Sequence, residues 1–117
     1  MNSIPEKYRN DLSIIRETAK QISRDFNING FEIIFSGNTH HAFEEFKLQI
    51  KPLLTKIFHS DRTAFQTLLY RIDVNEQDYK KTLLKIKSEE FENDLTELII
   101  RREFQKVLTR KYFSNQQ

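Results

Sequence analysis

Apolar residues recur at intervals of three and four positions along most of this chain, the spacing that places them on one face of an α-helix. The first stripe consists of Tyr8, Leu12, Ile15, Ala19, Ile22 and Phe26. It predicts a first helix over residues 3–29. A capping box of Ser3 and Glu6 would open this helix, and Gly30 would close it in a Schellman ending.

Capping residues and one proline delimit the next two predicted helices. The second helix begins near Asn38 or Thr39, and Pro52 inside it predicts a kink or a break because proline removes one backbone donor. Ser60 or Asp61 caps the third helix, since both side chains can accept from the first free N–H groups.

The last two predicted helices complete the pattern. Asn75 caps the fourth helix. The fifth begins after either Ser88 or Asp94 and runs to about Phe113. The sequence therefore predicts an all-α fold, a compact bundle of about five helices forming one domain over residues 1–117, with a loose tail at 114–117.

The last helix carries apolar residues on two opposite faces. One face holds Phe91, Leu95, Leu98 and Ile99, and the other holds Ile100, Phe104, Val107 and Leu108. A straight helix cannot present both faces to one neighbour. It either kinks near Ile100 or packs its two halves against different partners, which are helices of the same chain or a second copy.

The segment Phe31-Glu32-Ile33-Ile34-Phe35 is rich in β-branched and aromatic residues and lies between Gly30 and Gly37, which predicts an extended conformation. A lone strand cannot satisfy its own backbone groups. The segment therefore plugs the end of the bundle, which we favour, or pairs with a second chain.

The composition excludes several kinds of chemistry. The 117 residues include no Cys, so disulfides, zinc–thiolate sites and thiol nucleophiles are absent. Because no secretory segment and no apolar stretch near 18 residues is present, we expect a cytoplasmic protein without a membrane span.

No set of residues predicts a metal, catalytic or cofactor site. His40/Glu44 and His41/Glu45 are spaced by four residues, but the two adjacent histidines point about 100° apart on an ideal helix. The run His59-Ser60-Asp61 is contiguous, which does not make it a triad. We expect no cofactor and no small-molecule substrate, and the sequence leans away from an enzyme.

Two basic stripes offer one hypothesis of function. The last helix carries Arg102, Lys106 and Arg110, and the first carries Arg16, Lys20 and Arg24. Stripes of this kind can straddle phosphates, which makes nucleic-acid binding an alternative function. Bases near a helix C-terminus also suit the helix dipole, and the net charge is only +2.

The leading hypothesis is a protein-interaction or self-associating module, an adaptor or subunit whose partner is another protein or a second copy of the chain. Ten Phe and four Tyr are many for a small domain, and aromatic residues are enriched at contact surfaces. The candidate contact residues are Ile100, Phe104, Val107, Leu108, Phe31, Ile33 and Phe35.

Overall fold

The computed structural model describes residues 4–114, with the backbone alone at Phe113 and Ser114. Its helices are α1 Glu6–Arg9, α2 Leu12–Phe26, α3 Ala42–Ser60, α4 Arg62–Ile72, α5 Glu76–Leu83 and α6 Glu90–Ser114, with a 3₁₀ turn at Thr39–His41 before α3. The predicted all-α bundle is confirmed, and the five longer helices pack around one hydrophobic core. The predicted tail lies outside the described residues, except that Ser114 ends α6.

The predicted first helix is two helices, because the chain breaks at residues 10 and 11. The Asp11 side chain accepts a hydrogen bond from the Ile14 N–H at 3.0 Å and caps α2. A helix that continued through Asp11 could not place this carboxylate at its own N-terminus. Ser3 lies outside the described residues, so its capping box with Glu6 stays a prediction.

The predicted Schellman ending at Gly30 is wrong. α2 already ends at Phe26, and Asn27 adopts the left-handed conformation with φ of 51°. Asparagine tolerates this conformation better than most residues, so it ends the helix before the glycine is reached. Gly30, with φ of 85°, instead lies in a turn closed by the Phe31 N–H on the Ile28 carbonyl at 3.0 Å.

α3 runs from Ala42 to Ser60 through Pro52, so the predicted break does not occur. The missing proline N–H deprives the carbonyl of residue 48 of its helical partner. Leu48 lies on the exposed side of the helix with 69% of its surface accessible, where water can hydrate that carbonyl. The cost of the proline is therefore small enough for the helix to continue.

Three predicted helix starts are confirmed by their caps. The Asp61 side chain accepts the Ala64 N–H at 3.0 Å, and the Asn75 side chain accepts the Asp78 N–H at 3.0 Å. The Ser88 hydroxyl accepts a hydrogen bond from the backbone of residue 90 at 3.0 Å, so α6 begins after Ser88 and not after residue 94.

The extended segment 31–35 bonds to helix side chains instead of a second strand. The Gln49 side chain accepts the Ile34 N–H at 2.8 Å and donates to the Ile34 carbonyl at 2.7 Å. The Ser36 N–H donates to Glu45 at 2.9 Å. Residues 45 and 49 are one helical turn apart, about 6 Å, which matches the roughly 6.6 Å between alternate residues of an extended chain.

The other edge of this segment faces α2, where the Ile33 N–H donates to the Ser23 hydroxyl at 3.0 Å. Ile33 is buried, Phe31 and Phe35 pack against the core, and Ile34 points outward with 75% exposure. The segment therefore fills the end of the core, as the plug alternative predicts.

α6 is the central helix, and it packs against α2, α3, α4 and α5. Its buried apolar side chains are Phe91, Leu95, Leu98, Ile99, Ile100, Phe104 and Val107. Neighbours on several sides explain why α6 carries apolar residues on opposite faces. None of the helices in residues 4–114 combines the length and the apolar character needed to cross a membrane.

We predict that Gln49→Ala lowers the free energy of unfolding by about 1–2 kcal/mol, because it leaves both backbone groups of Ile34 without their protein partner. Urea unfolding followed by circular dichroism measures this change. The matched control is Gln66→Ala on α4, an exposed glutamine whose change should stay within about 0.5 kcal/mol. Equal losses in both variants would contradict the role given to Gln49.

Candidate functional site

The predicted contact residues of the last helix lie inside the folded chain. Ile100, Phe104 and Val107 are 3%, 0% and 2% exposed, and Leu108 packs partly buried against the core. The Phe104 ring contacts the Phe43 ring of α3, with centroids 5.5 Å apart. These side chains contribute to packing, and Ile100 also borders a surface cleft.

The predicted contact residues of the extended segment also pack inward. Ile33 is 9% exposed, and Phe31 and Phe35 are half-buried. Phe35 meets Phe46 with ring centroids 6.0 Å apart. The large number of phenylalanines is therefore explained mainly by the core. Those buried or packed against it are Phe26, Phe31, Phe35, Phe43, Phe46, Phe58, Phe65, Phe91 and Phe104.

The basic stripe on α6 is turned toward neighbouring helices. The Arg102 guanidinium donates to the carbonyl of Asp73 at 2.7 Å and to its carboxylate at 3.0 Å. The Lys106 ammonium donates to the Asp25 carboxylate at 2.7 Å and to the Arg71 carbonyl at 3.0 Å. These bonds tie α6 to α2 and to the end of α4.

The two predicted stripes meet at Gln21 of α2. Arg110 donates to the Gln21 side-chain oxygen at 2.7 Å, and Arg24 donates to the same oxygen at 3.2 Å. Lys20 forms an exposed ion pair with Glu17 at 3.5 Å. Arg16 is exposed and has no hydrogen-bond or ion-pair partner within the described part of the chain.

Glu103 is a fully buried carboxyl group at the junction of α2 and α6. Its side chain is 0% exposed, and neither oxygen accepts a hydrogen bond from a donor group among residues 4–114. The Lys106 ammonium lies 3.4 Å from one oxygen, but its shorter contact is to Asp25. An ionised Glu103 would therefore be a poorly compensated buried charge.

The two carboxyl groups at this junction have opposite pKa shifts. Burial, the hydrogen bond with Asp25 and its negative charge raise the pKa of Glu103 to about 9. Burial also acts to raise the pKa of Asp25, but hydrogen bonds with Glu103, Lys106 and Gln21 outweigh it and bring that pKa below its usual value. At neutral pH the pair therefore holds one proton on Glu103.

A cleft of about 290 Å³ lies between the segment at residues 4–9, α3 and α6. Its apolar lining residues are Ile4, Phe43 and Ile100, and its charged ones are Arg9, Glu44, Lys47, Glu97 and Arg101. Ile100 is a predicted contact residue that borders this cleft, and Ile33 is another that borders a separate hollow between α2 and the extended segment.

The charges around this cleft are unequally paired. Lys47 lies 2.9 Å from Glu97 and 3.9 Å from Glu44, so it forms ion pairs with both acids of the cleft. The hydrogen bond with Glu97 raises the pKa of Lys47, as expected for an ammonium beside carboxylates. The rim keeps two arginines, Arg9 and Arg101, without a carboxylate partner among residues 4–114.

Arg101 differs from the other cations of α6. It is half-buried and has no hydrogen-bond or ion-pair partner within residues 4–114. Arg9 donates to the backbone carbonyl of Ile4 at 3.1 Å and has no further partner between residues 4 and 114. Arg101 also borders a second, smaller hollow of about 110 Å³ lined by residues of α5 and α6.

The histidines do not form a catalytic arrangement in the described chain. His59 lies 3.5 Å from Glu92 of α6, whereas Asp61 caps α4 and the Ser60 hydroxyl donates to the carbonyl four residues earlier. His40 and His41 are exposed, and residues 4–114 hold no group of three His, Asp or Glu placed to bind one metal ion.

The chain matches no protein-family model, no curated protein and no solved structure at a level that indicates a relationship. The functional argument therefore rests on the geometry of its own residues.

Sequence reasoning missed two features of this region. In the sequence, Glu103 is the sole acid among the basic residues at positions 101–111 of the last helix. It lies on the face that also carries Ile100 and Val107. An acid on an apolar face is a signal of a buried carboxyl group. The cleft had no such signal, because three separated parts of the chain form it.

We predict that Phe104→Ala lowers the free energy of unfolding by about 3–5 kcal/mol, the usual cost of removing a fully buried ring. Denaturant unfolding measures the loss, and sedimentation velocity measures the mass. A small loss of stability together with a lower mass would instead assign Phe104 to a contact between copies.

Proposed function

We propose that this protein is a protein-interaction module whose cleft binds a partner segment that presents an apolar side chain beside a carboxylate. The observation that carries the proposal is the half-buried Arg101, which has no ion-pair or hydrogen-bond partner among residues 4–114 and lies at the rim of an apolar cleft. The same proposal includes a cytoplasmic location of the protein and a function that involves no catalysis.

The charges of the rim favour an acidic partner. Both acids of the cleft already contact Lys47, whereas Arg9 and Arg101 have no carboxylate partner among the described residues. Arginine pairs with carboxylates through two parallel hydrogen bonds, which gives geometric specificity as well as affinity. A carboxylate on the partner would supply the counter-charge that Arg9 and Arg101 do not find among residues 4–114.

The apolar lining favours an anchoring side chain. A cleft of about 290 Å³ lies at the lower end of the range for small-molecule pockets, so it suits one or two side chains better than a cofactor. Binding hot spots commonly combine such a pocket with an arginine. Ile4, Phe43 and Ile100 would contact the anchor, and Arg101 would orient it.

The arrangement of the basic stripes favours this proposal over nucleic-acid binding. Arg102, Lys106 and Arg110 all bond to α2 or to the end of α4, and Arg24 is held at Gln21. Cations that already donate to internal partners are less available to phosphates. Four of the six cations of the nucleic-acid alternative are bonded in this way, whereas Arg16 and Lys20 of α2 stay exposed.

We predict that selection of a displayed random peptide library on the wild-type protein enriches peptides with an aliphatic or aromatic residue next to Asp or Glu. Arg101→Ala should weaken the binding of such peptides by about tenfold or more, as expected for loss of a charge-assisted pair. Fluorescence anisotropy with a labelled selected peptide measures the dissociation constant.

The matched control is Arg16→Ala, which removes from α2, away from the cleft, an arginine that likewise has no partner in the described ranges. It should leave peptide affinity unchanged. Selected peptides that bind wild type and Arg101→Ala equally, or a selection that enriches nothing, would overturn the proposal. Concentration-dependent mass that Arg101→Ala abolishes would instead identify the partner as a second copy.

We also predict that labelled single- and double-stranded oligonucleotides bind no tighter than about 100 μM at physiological salt, the range of weak non-specific association. Anisotropy at low and physiological salt tests this expectation. Micromolar binding with a steep salt dependence that Arg24→Ala and Arg110→Ala weaken would replace the protein-interaction proposal with the nucleic-acid alternative.

A further inference from the structure

The junction of α2 and α6 contains an arrangement that the proposed function does not use. Glu103 is completely buried with neither oxygen accepting a hydrogen bond from residues 4–114, and it adjoins the nearly buried Asp25 carboxylate. A protonated Glu103 can donate a hydrogen bond to that carboxylate. An ionised Glu103 would place two like charges side by side away from water.

The charged groups around Glu103 come from three helices. Asp25 of α2 and Lys106 of α6 face it directly. Arg71 of α4 donates to the backbone carbonyl of Asp25 at 2.7 Å. Gln21 donates to the Asp25 carboxylate at 3.1 Å. The single ammonium of Lys106 therefore faces two carboxyl groups. Its one positive charge balances their negative charge fully only when one of the two is protonated.

We propose that Glu103 is a proton-operated latch, in which the proton shared with Asp25 holds the second half of α6 against α2 and its loss accompanies local opening of that half. Opening brings Glu103 into water, where it ionises readily. The latch is therefore tighter in acid and looser in base, and it acts independently of any partner in the cleft.

The direction in which pH changes the stability of the closed state follows from proton linkage. In the closed state the pKa of Glu103 is about 9, and in an opened, solvated state it returns to its ordinary value of 4.5. The closed state therefore binds more protons between these two values, and its stability falls as pH rises through this window. The opening equilibrium constant should rise by up to about tenfold for each pH unit between roughly pH 5 and 8.

Hydrogen exchange of the intact protein at several pH values tests the latch. After correction for intrinsic exchange, the protection factors of residues 103–111 should fall by up to about tenfold per pH unit in wild type. In Glu103→Gln, which keeps the shape and cannot ionise, they should stay nearly constant. The matched control is Glu89→Gln, an exposed residue before α6 that should behave as wild type.

A second measurement needs no variant. The side-chain carboxyl carbon of Glu103, followed by NMR, should show no titration near pH 4.5 and should titrate well above neutral pH. A Glu103 that titrates near 4.5, or equal pH dependence in wild type and Glu103→Gln, would overturn the proposal. The same pH-dependent loss of protection in the middle of α3 would also overturn it, because opening would then be global.

Discussion

The ion pair between Lys106 and Asp25, 2.7 Å apart, is the contact on which the arrangement of α6 depends. It lies where α2, α4 and α6 meet, and both side chains are mostly buried, so their charges are screened little by water. A buried pair of this kind is weak evidence for net stability, so we infer that it serves specificity of packing. In this interpretation it sets which side of α6 faces α2, together with the buried apolar residues of the same helix.

This arrangement also determines which cations remain for a partner. Arg102 and Arg110 are bonded to Asp73 and Gln21, so the stripe that looks like a phosphate-binding surface is hydrogen-bonded within the fold. Arg101 lines the cleft that Ile100 borders and also the smaller hollow beside α5. The candidate site is therefore defined by a charge that has no partner in the described part of the chain, and not by the richest cluster of charge in the sequence.

The parts of the fold that depend on neighbouring residues could be predicted from the sequence. Asp61, Asn75 and Ser88 cap their helices because a short polar side chain reaches the N–H groups two or three residues ahead. The end of α2 was misplaced because Asn27 competes locally with Gly30 for the left-handed position, and sequence favours the glycine.

The candidate site depends on distant residues and could not be predicted in the same way. Ile100 was predicted as a contact residue, but its cleft also needs Ile4 and Phe43, which only the folded chain brings together. The pairing of Glu103 with Asp25 likewise joins the first and last long helices. An acid on an apolar face indicates burial, whereas its partner is known only once α2 and α6 are packed.

A double-mutant cycle between Asp25→Asn and Lys106→Met, measured by denaturant unfolding at neutral pH, tests the central claim most directly. If this pair holds α6 in place, the two changes should be coupled by about 1 kcal/mol or more. Additive effects, within about 0.3–0.5 kcal/mol, would mean that Lys106 is energetically independent of Asp25. The claim that the basic stripe of α6 serves contacts within the fold would then be contradicted.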